Sequence, residues 1–190
     1  MKSFKEKRLT VDPDLYQEFS NQLHRHQGRC TNHDVNKDLE LKLCKLIFPN
    51  SKVLEPPKQQ DILFDIDTIV DNIKVQVKCR RNDHLYLEDY KTRKCSDGST
   101  WTGGWLDRSL ADIFLFVYPM QNNTLGVRIY KGSDLKNILR IFRAHLHNET
   151  LSQDDVDYIN KWGGLHSYVY HPEKIQENGD GSGAYFEVVF

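Results

Sequence analysis

The sequence predicts an α/β fold, with helical and strand-like segments alternating along 190 residues. Three stretches carry that expectation. In Lys74-Val75-Gln76-Val77-Lys78 the two valines alternate with polar residues, the two-residue period of a strand with one buried face. Residues 34–48 set Leu39, Leu43, Leu46 and Ile47 on one helical face. Ile113 to Tyr118 is an unbroken apolar run, which suits a central strand covered on both sides.

The other elements follow in order. Residues 11–27 read as a helix, with Asp12 as N-cap, Pro13 at the first helical position and Leu15, Phe19 and Leu23 as its apolar stripe. Gln27-Gly28 ends it. His24, His26, Cys30 and His33 follow closely, but no pair of them brackets a loop as zinc ligands do, so they read as a histidine-rich turn. In the helix over 34–48, Asp34 or Asn36 caps the start and Pro49-Asn50 stops the end. Residues 51–58 are extended and broken by Pro56-Pro57.

Asp61 to Asp67 reads as a strand, with Asp61, Leu63, Asp65 and Asp67 on one face and Ile62, Phe64 and Ile66 on the other. A hairpin-like turn at Asp71-Asn72 joins it to the strand over 74–78. Residues 84–90 form an aromatic-bearing strand. The stretch 91–105, rich in Gly, Ser and Thr, reads as a loop that either follows a phosphate backbone or anchors the next segment through Trp101 and Trp105. Leu125 to Tyr130 is the strand beside 113–118, across a turn at Gln121-Asn122-Asn123. Residues 133–147 form a helix with Leu135, Ile138, Leu139 and Phe142 inward, and a short acidic helix opens at Ser152. The strands over 165–170 and 184–190 are either a hairpin that completes the core or a specificity element.

Composition is that of a globular chain, 38% hydrophobic and 28% charged, and the expectation is a single domain spanning 1–190. No apolar run approaches the roughly 20 residues that span a bilayer. The basic N-terminus has no apolar stretch of the signal-peptide kind. Cys30, Cys44, Cys79 and Cys95 are too scattered for a disulfide framework. A cytoplasmic protein with no membrane partner is therefore expected. Net charge is −1, but its distribution is uneven. Lys74 to Lys94 holds seven basic residues against three acidic, whereas Glu149 to Asp157 holds four acids and no Lys or Arg. A nucleic-acid-facing side opposite an acidic side is compatible with this, as is ordinary surface scatter.

The chemistry concentrates between residues 60 and 80. Gln76 and Lys78 project from one strand face, and a paired strand brings Asp61 or Asp65 near them. A carboxylate, an amide oxygen and an ammonium converging at a sheet end suit Mg²⁺ beside a phosphate. The pattern of Asp61 followed by Gln76-Val77-Lys78 resembles the PD-(D/E)XK nuclease superfamily of restriction enzymes, resolvases and some homing endonucleases. The resemblance covers roughly residues 34–118. Gln60 stands where the family's proline is, and Gln76 replaces its acid, as in Gln-x-Lys branches.

The resemblance implies a restriction endonuclease-like core over about 34–147, a mixed central β-sheet flanked by helices, with an N-terminal helix and a C-terminal extension. It implies a Mg²⁺-dependent endodeoxyribonuclease, with Mn²⁺ as a substitute. Asp61 is the expected principal metal ligand, with Asp65 as the alternative. Gln76 offers its side-chain carbonyl, and Val77 its backbone carbonyl. Lys78 orients or deprotonates the attacking water and stabilises the pentacovalent charge. Glu40, on the helix before the sheet, is either a second acid or a solvent-facing glutamate. Arg80, Arg81, Lys91, Arg93 and Lys94 are the expected DNA contacts. One site per domain favours a homodimer for cutting both strands. The alternatives are an inactive nucleic-acid binder and a protein-interaction module.

Overall fold

A computed structural model describes residues 4–25, 33–94, 100–162, 168–173 and 183–188. The elements in chain order are β1 (Lys5–Thr10), α1 (Pro13–Arg25), α2 (His33–Ile47), β2 (Val53–Leu54), α3 (Lys58–Phe64), β3 (Thr68–Val70), β4 (Ile73–Cys79) and β5 (Leu85–Lys94). Then come β6 (Thr100–Thr102), α4 (Trp105–Arg108), β7 (Ile113–Pro119), β8 (Thr124–Lys131), α5 (Gly132–Leu146), α6 (Gln153–Asn160), β9 (Tyr168–Glu173) and β10 (Gly183–Val188). They form two compact units, one of Phe4–Asp83 with Leu110–Gly132, the other of His84–Ser109 with Ser133–Phe190.

The first unit is a six-stranded mixed sheet in the order β1-β8-β7-β4-β3-β2. β4 and β7 pair in parallel, and the remaining neighbours are antiparallel. Most of the helical faces foreseen in the sequence cover it: Phe19 and Leu23 of α1 and Leu39, Leu43 and Ile47 of α2 share one core with Val75, Val77, Leu115 and Val127, whereas Leu46 is exposed. Asp12 caps α1, its Oδ1 accepting from Leu15 N at 2.9 Å. The turn between β3 and β4 holds Asp71 and Asn72 at φ 48° and 70°, the left-handed pair that a two-residue hairpin needs. β7 is central, as its apolar run predicts. On its other side Phe116 and Phe4 pack against Tyr130, and the Arg128 guanidinium lies over the Phe4 and Tyr118 rings.

One expected strand is a helix. Residues 58–64 form α3, and the ladder begins only at Thr68. Short runs of apolar and acidic residues fit both periods. Here Pro57 supplies the N-cap position, Lys58, Gln59 and Gln60 are good helix formers, and Asp65 closes the helix in the left-handed conformation at φ 53°. Asp67 joins the sheet margin by donating its N–H to Val75 O at 3.0 Å. β1 was not foreseen. Its Lys-Glu-Lys-Arg run has little strand propensity and suits an exposed edge, where charge discourages pairing with another chain.

The second unit is a four-stranded antiparallel sheet, β6-β5-β10-β9. Phe142 of α5 packs on it, with ring centroids 4.2 Å from Tyr168 and 5.4 Å from Phe186. The C-terminal strands thus extend a sheet. The stretch expected as a loop over 91–105 contributes the end of β5, β6 and the start of α4, where Trp105 is buried as an anchor. The Trp101 side chain lies outside the described residues. So do His26 and Cys30 of the histidine-rich stretch, and of the His24 and His33 side chains. Among the described residues no helix is long and apolar enough to cross a membrane.

Candidate functional site

The alternation of β4 sends Val75 and Val77 into the core beneath α1 and α2 and leaves Gln76 and Lys78 together on the opposite phase. Gln76 is only 2% exposed, and its Oε1 has no hydrogen-bond partner among the described residues. An amide oxygen left without a donor in the interior costs about 1–3 kcal/mol, so its presence calls for an explanation.

Two carboxyls stand within electrostatic reach of Lys78. Asp67, at the mouth of β3, accepts Val77 N–H at Oδ2, 2.7 Å away. Burial pushes its pKa up to about 7, with Lys78 and the Val77 amide pulling the other way and Asp65 and Asp61 adding to the rise. Glu40 is on α2, beside the inward Leu39. Burial pushes it up to about 9, Asp67 raises it further, and Lys78 opposes. Each group responds to the same two charges, Asp61 and Lys78. The solvent-facing alternative for Glu40 is therefore set aside.

Asp61 reaches this neighbourhood from α3 rather than from a strand. Its Oδ2 is held by Lys37 Nζ at 2.7 Å, while Lys78 Nζ lies 3.2 Å from Asp65 Oδ2. Four carboxyls (Glu40, Asp61, Asp65, Asp67) thus surround two ammoniums (Lys37, Lys78). Among the described residues the carboxyls outnumber the ammoniums, a balance that favours a cation. Burial without that cation is expected to drive protons onto Glu40 and Asp67, the direction seen.

Do these residues fit Mg²⁺? Among the described residues no three His, Cys, Asp or Glu side chains group as a ligand set by themselves. A site here would draw on two carboxylates and the orphaned Gln76 oxygen, an all-oxygen set of the hard kind that Mg²⁺ takes along with water. The donor chemistry fits. Asp67 and Lys37 are the residues that sequence reasoning passed over. Asp67 was signalled by lying directly before the hairpin, in the short spacing to Gln76-Val77-Lys78. Lys37 had no local signal.

The remaining expected residues divide. Val77 contributes its amide N–H to Asp67, and its side chain belongs to the core. Arg80 donates its backbone N–H to Val117 O at 2.8 Å and sets its guanidinium over the Phe116 ring. Arg81 is exposed and reaches back to Leu23 O at 3.0 Å, near the C-terminus of α1, where a cation suits the helix dipole. Lys91, Arg93 and Lys94 lie on the backbone of β5 in the second unit, and their side chains fall outside the described residues. Comparison of the chain with protein-family models, curated proteins and solved structures found no match.

Proposed function

We propose that this chain is a Mg²⁺-dependent endodeoxyribonuclease with a restriction endonuclease-like core of the Gln-x-Lys kind. One observation carries the reading. Half-buried Glu40 and buried Asp67, both raised above the ordinary carboxyl range, act on each other and on the Lys78 ammonium, while Gln76 on the same strand as Lys78 keeps a buried amide oxygen with no hydrogen-bond partner among the described residues. A purely structural role would leave two carboxyls buried against each other at a net cost.

Glu40, Asp67 and Gln76 Oε1 would hold the metal, with Mn²⁺ as a substitute for Mg²⁺. A cation bound there polarises water and neutralises charge building on a scissile phosphate. The protein's own groups do the rest. Asp67 is oriented by the Val77 N–H, so its second oxygen is left to turn toward the site. Lys78, fixed on a central strand pair, sets its Nζ to accept a proton from, or donate a hydrogen bond to, the oxygen that attacks phosphorus. A metal held there would compete with protons for Glu40 and Asp67, so its affinity would rise with pH.

Arg81, Lys91, Arg93 and Lys94 remain the proposed DNA backbone contacts, and a homodimer the arrangement for cutting both strands. The test is cleavage of supercoiled plasmid and of a branched DNA with Mg²⁺, Mn²⁺ or EDTA. Metal-dependent nicking that disappears in Lys78→Ala and Asp67→Asn supports the reading. Cleavage that survives in EDTA, or in both variants, overturns it, and so does the absence of cleavage of either substrate.

A further inference from the structure

The Lys37–Asp61 pair has no part in the chemistry above. We infer that Lys37 is a phosphate-binding residue of this site, and that Asp61 is the counterion it releases when a DNA phosphate arrives. This rests on the nuclease reading.

The geometry starts from α2. Lys37 precedes Glu40 by three residues, so the two side chains lie on one helical face, one above the other. Glu40 senses the Lys37 charge as well as that of Lys78, so both ammoniums act on this one carboxyl. The Lys37 side chain is 17% exposed and its Asp61 partner 10%, which leaves an edge for an incoming anion without full solvation.

The partners of the two lysines come from one short segment. α3 and its left-handed cap present Asp61 to Lys37 and Asp65 to Lys78. A carboxylate oxygen 2.7 Å from an ammonium has the charge and hydrogen-bond length of a phosphate oxygen bound by lysine. Lys37 and Lys78 are thus each held against an internal acid where a phosphate oxygen would compete for the ammonium. For Asp61 this differs from the role of principal metal ligand: its Oδ2 is committed to an ammonium, whereas Asp67 is held only through a backbone amide.

The two roles make opposite predictions. Removing the charge of a metal ligand weakens metal binding, but removing a competing counterion strengthens phosphate binding. The experiment uses the full chain as wild type, Asp61→Asn, Lys37→Ala, Lys37→Arg and the Asp61→Asn/Lys37→Ala double variant, each checked for folding by circular dichroism. Affinity for a short labelled DNA duplex is read by anisotropy across a salt series in Ca²⁺ and in EDTA. Mn²⁺ affinity is read by calorimetry.

Lys37→Ala is expected to weaken DNA binding about tenfold and lower the salt slope by about one, with Lys37→Arg restoring the slope. Asp61→Asn is expected to tighten DNA binding several-fold with Mn²⁺ affinity unchanged, and to have no effect in the Lys37→Ala background. Loss of Mn²⁺ affinity in Asp61→Asn makes Asp61 a metal ligand and overturns the inference. Unchanged or weaker DNA binding in Asp61→Asn reduces the pair to a structural bridge. Tightening that persists without Lys37 is general electrostatics, and also overturns it. A chain that binds DNA but never cuts it removes the nuclease reading while these measurements still decide Lys37. A chain that binds no DNA removes both.

Discussion

Glu40 and Glu187 are the same residue type in two clusters of one chain, and their protons are held in opposite directions. Glu187, on the second unit's sheet, is surrounded by donors. His84 Nδ1 lies 2.5 Å from Oε1, the Tyr86 hydroxyl donates to that oxygen at 3.0 Å, and His171 Nε2 lies 2.9 Å from Oε2. The His84 hydrogen bond, with those of Tyr86 and His171, holds this carboxyl below its ordinary range against the pull of burial. Nearby in the same unit Asp107 is pulled up by burial, but its bidentate pair with Arg143 outweighs that and keeps it low. Glu40 meets burial and a second acid instead, and is raised. The difference separates a saturated carboxylate from one left wanting a cation. A saturated cluster holds an architecture together; an unsaturated one is where a ligand belongs.

The sharpest way to break that contrast is to remove the chemistry of the unsaturated cluster. Lys78→Ala and Asp67→Asn are each expected to lower metal-dependent DNA cleavage by at least about 100-fold. Far-ultraviolet circular dichroism should stay that of wild type, since Lys78 meets Asp65 through its side chain alone and Asp67→Asn keeps the backbone N–H bond to Val75. Equal losses in a matched Glu187→Gln variant would erase the distinction between the clusters.

Much of the site's frame was legible in the sequence, and the reason is periodicity. The alternation around Gln76 and Lys78 and the stripe through Leu39 and Leu43 are local patterns; the first put its polar residues on one strand face, while the second left Glu40 open between a second acid and a solvent-facing glutamate. The choice between Asp61 and Asp67 was not legible in that way. A run of acids and apolar residues fits a strand or a helix equally, and only the start of α3 after Pro56-Pro57 decides that Asp61 is helical. The Lys37–Asp61 pair spans 24 residues of chain, a tertiary relation with no local signature. The Arg143 cluster was hidden for a similar reason: Asp89 is the extra residue where the β5–β10 register shifts, and a bulge that re-aims one side chain leaves no periodic trace.

Arg143 is the counterpart test in the saturated unit. It donates Nε to Asp89 Oδ1 at 2.6 Å and engages Asp107 with both terminal nitrogens, while the Tyr170 hydroxyl donates to Asp89 Oδ2. Arg143→Ala leaves a buried carboxylate with one donor fewer and is expected to cost about 2–3 kcal/mol in urea unfolding. A loss below about 0.5 kcal/mol, the level of a surface pair, would mean that saturation holds nothing in place.

Glu40→Gln should do the reverse of most substitutions at a buried position. A carboxyl whose folded pKa lies above its unfolded value makes the native state bind the extra proton, so stability falls as pH rises between the two. For Glu40 that window runs from about 4.5 to about 9. The amide removes the penalty. At pH 8 without divalent metal the variant should be more stable than wild type by on the order of 2 kcal/mol, with the two converging toward pH 4. Added Mg²⁺ should shrink or invert the gap, because it stabilises only the chain that can bind it. A variant less stable than wild type throughout would show that Glu40 is a structural acid.

Glu187→Gln is the mirror case and the smallest effect. Its folded pKa is lowered, so its contribution is present above the unfolded carboxylate range and is lost as pH falls through the folded value. The side chain is only 19% exposed and three donors converge on it, but an amide oxygen still accepts from Tyr86 and one imidazole. The cost is therefore about 1 kcal/mol at neutral pH, shrinking as pH falls through the lowered folded value, with no response to Mg²⁺. Unfolding stabilities of Glu40→Gln and Glu187→Gln should then depart from wild type in opposite directions as pH rises. If both variants shift in the same direction, desolvation and pairing do not divide between the two clusters as their hydrogen bonds indicate, and the assignment of the first cluster to cation binding loses its electrostatic ground.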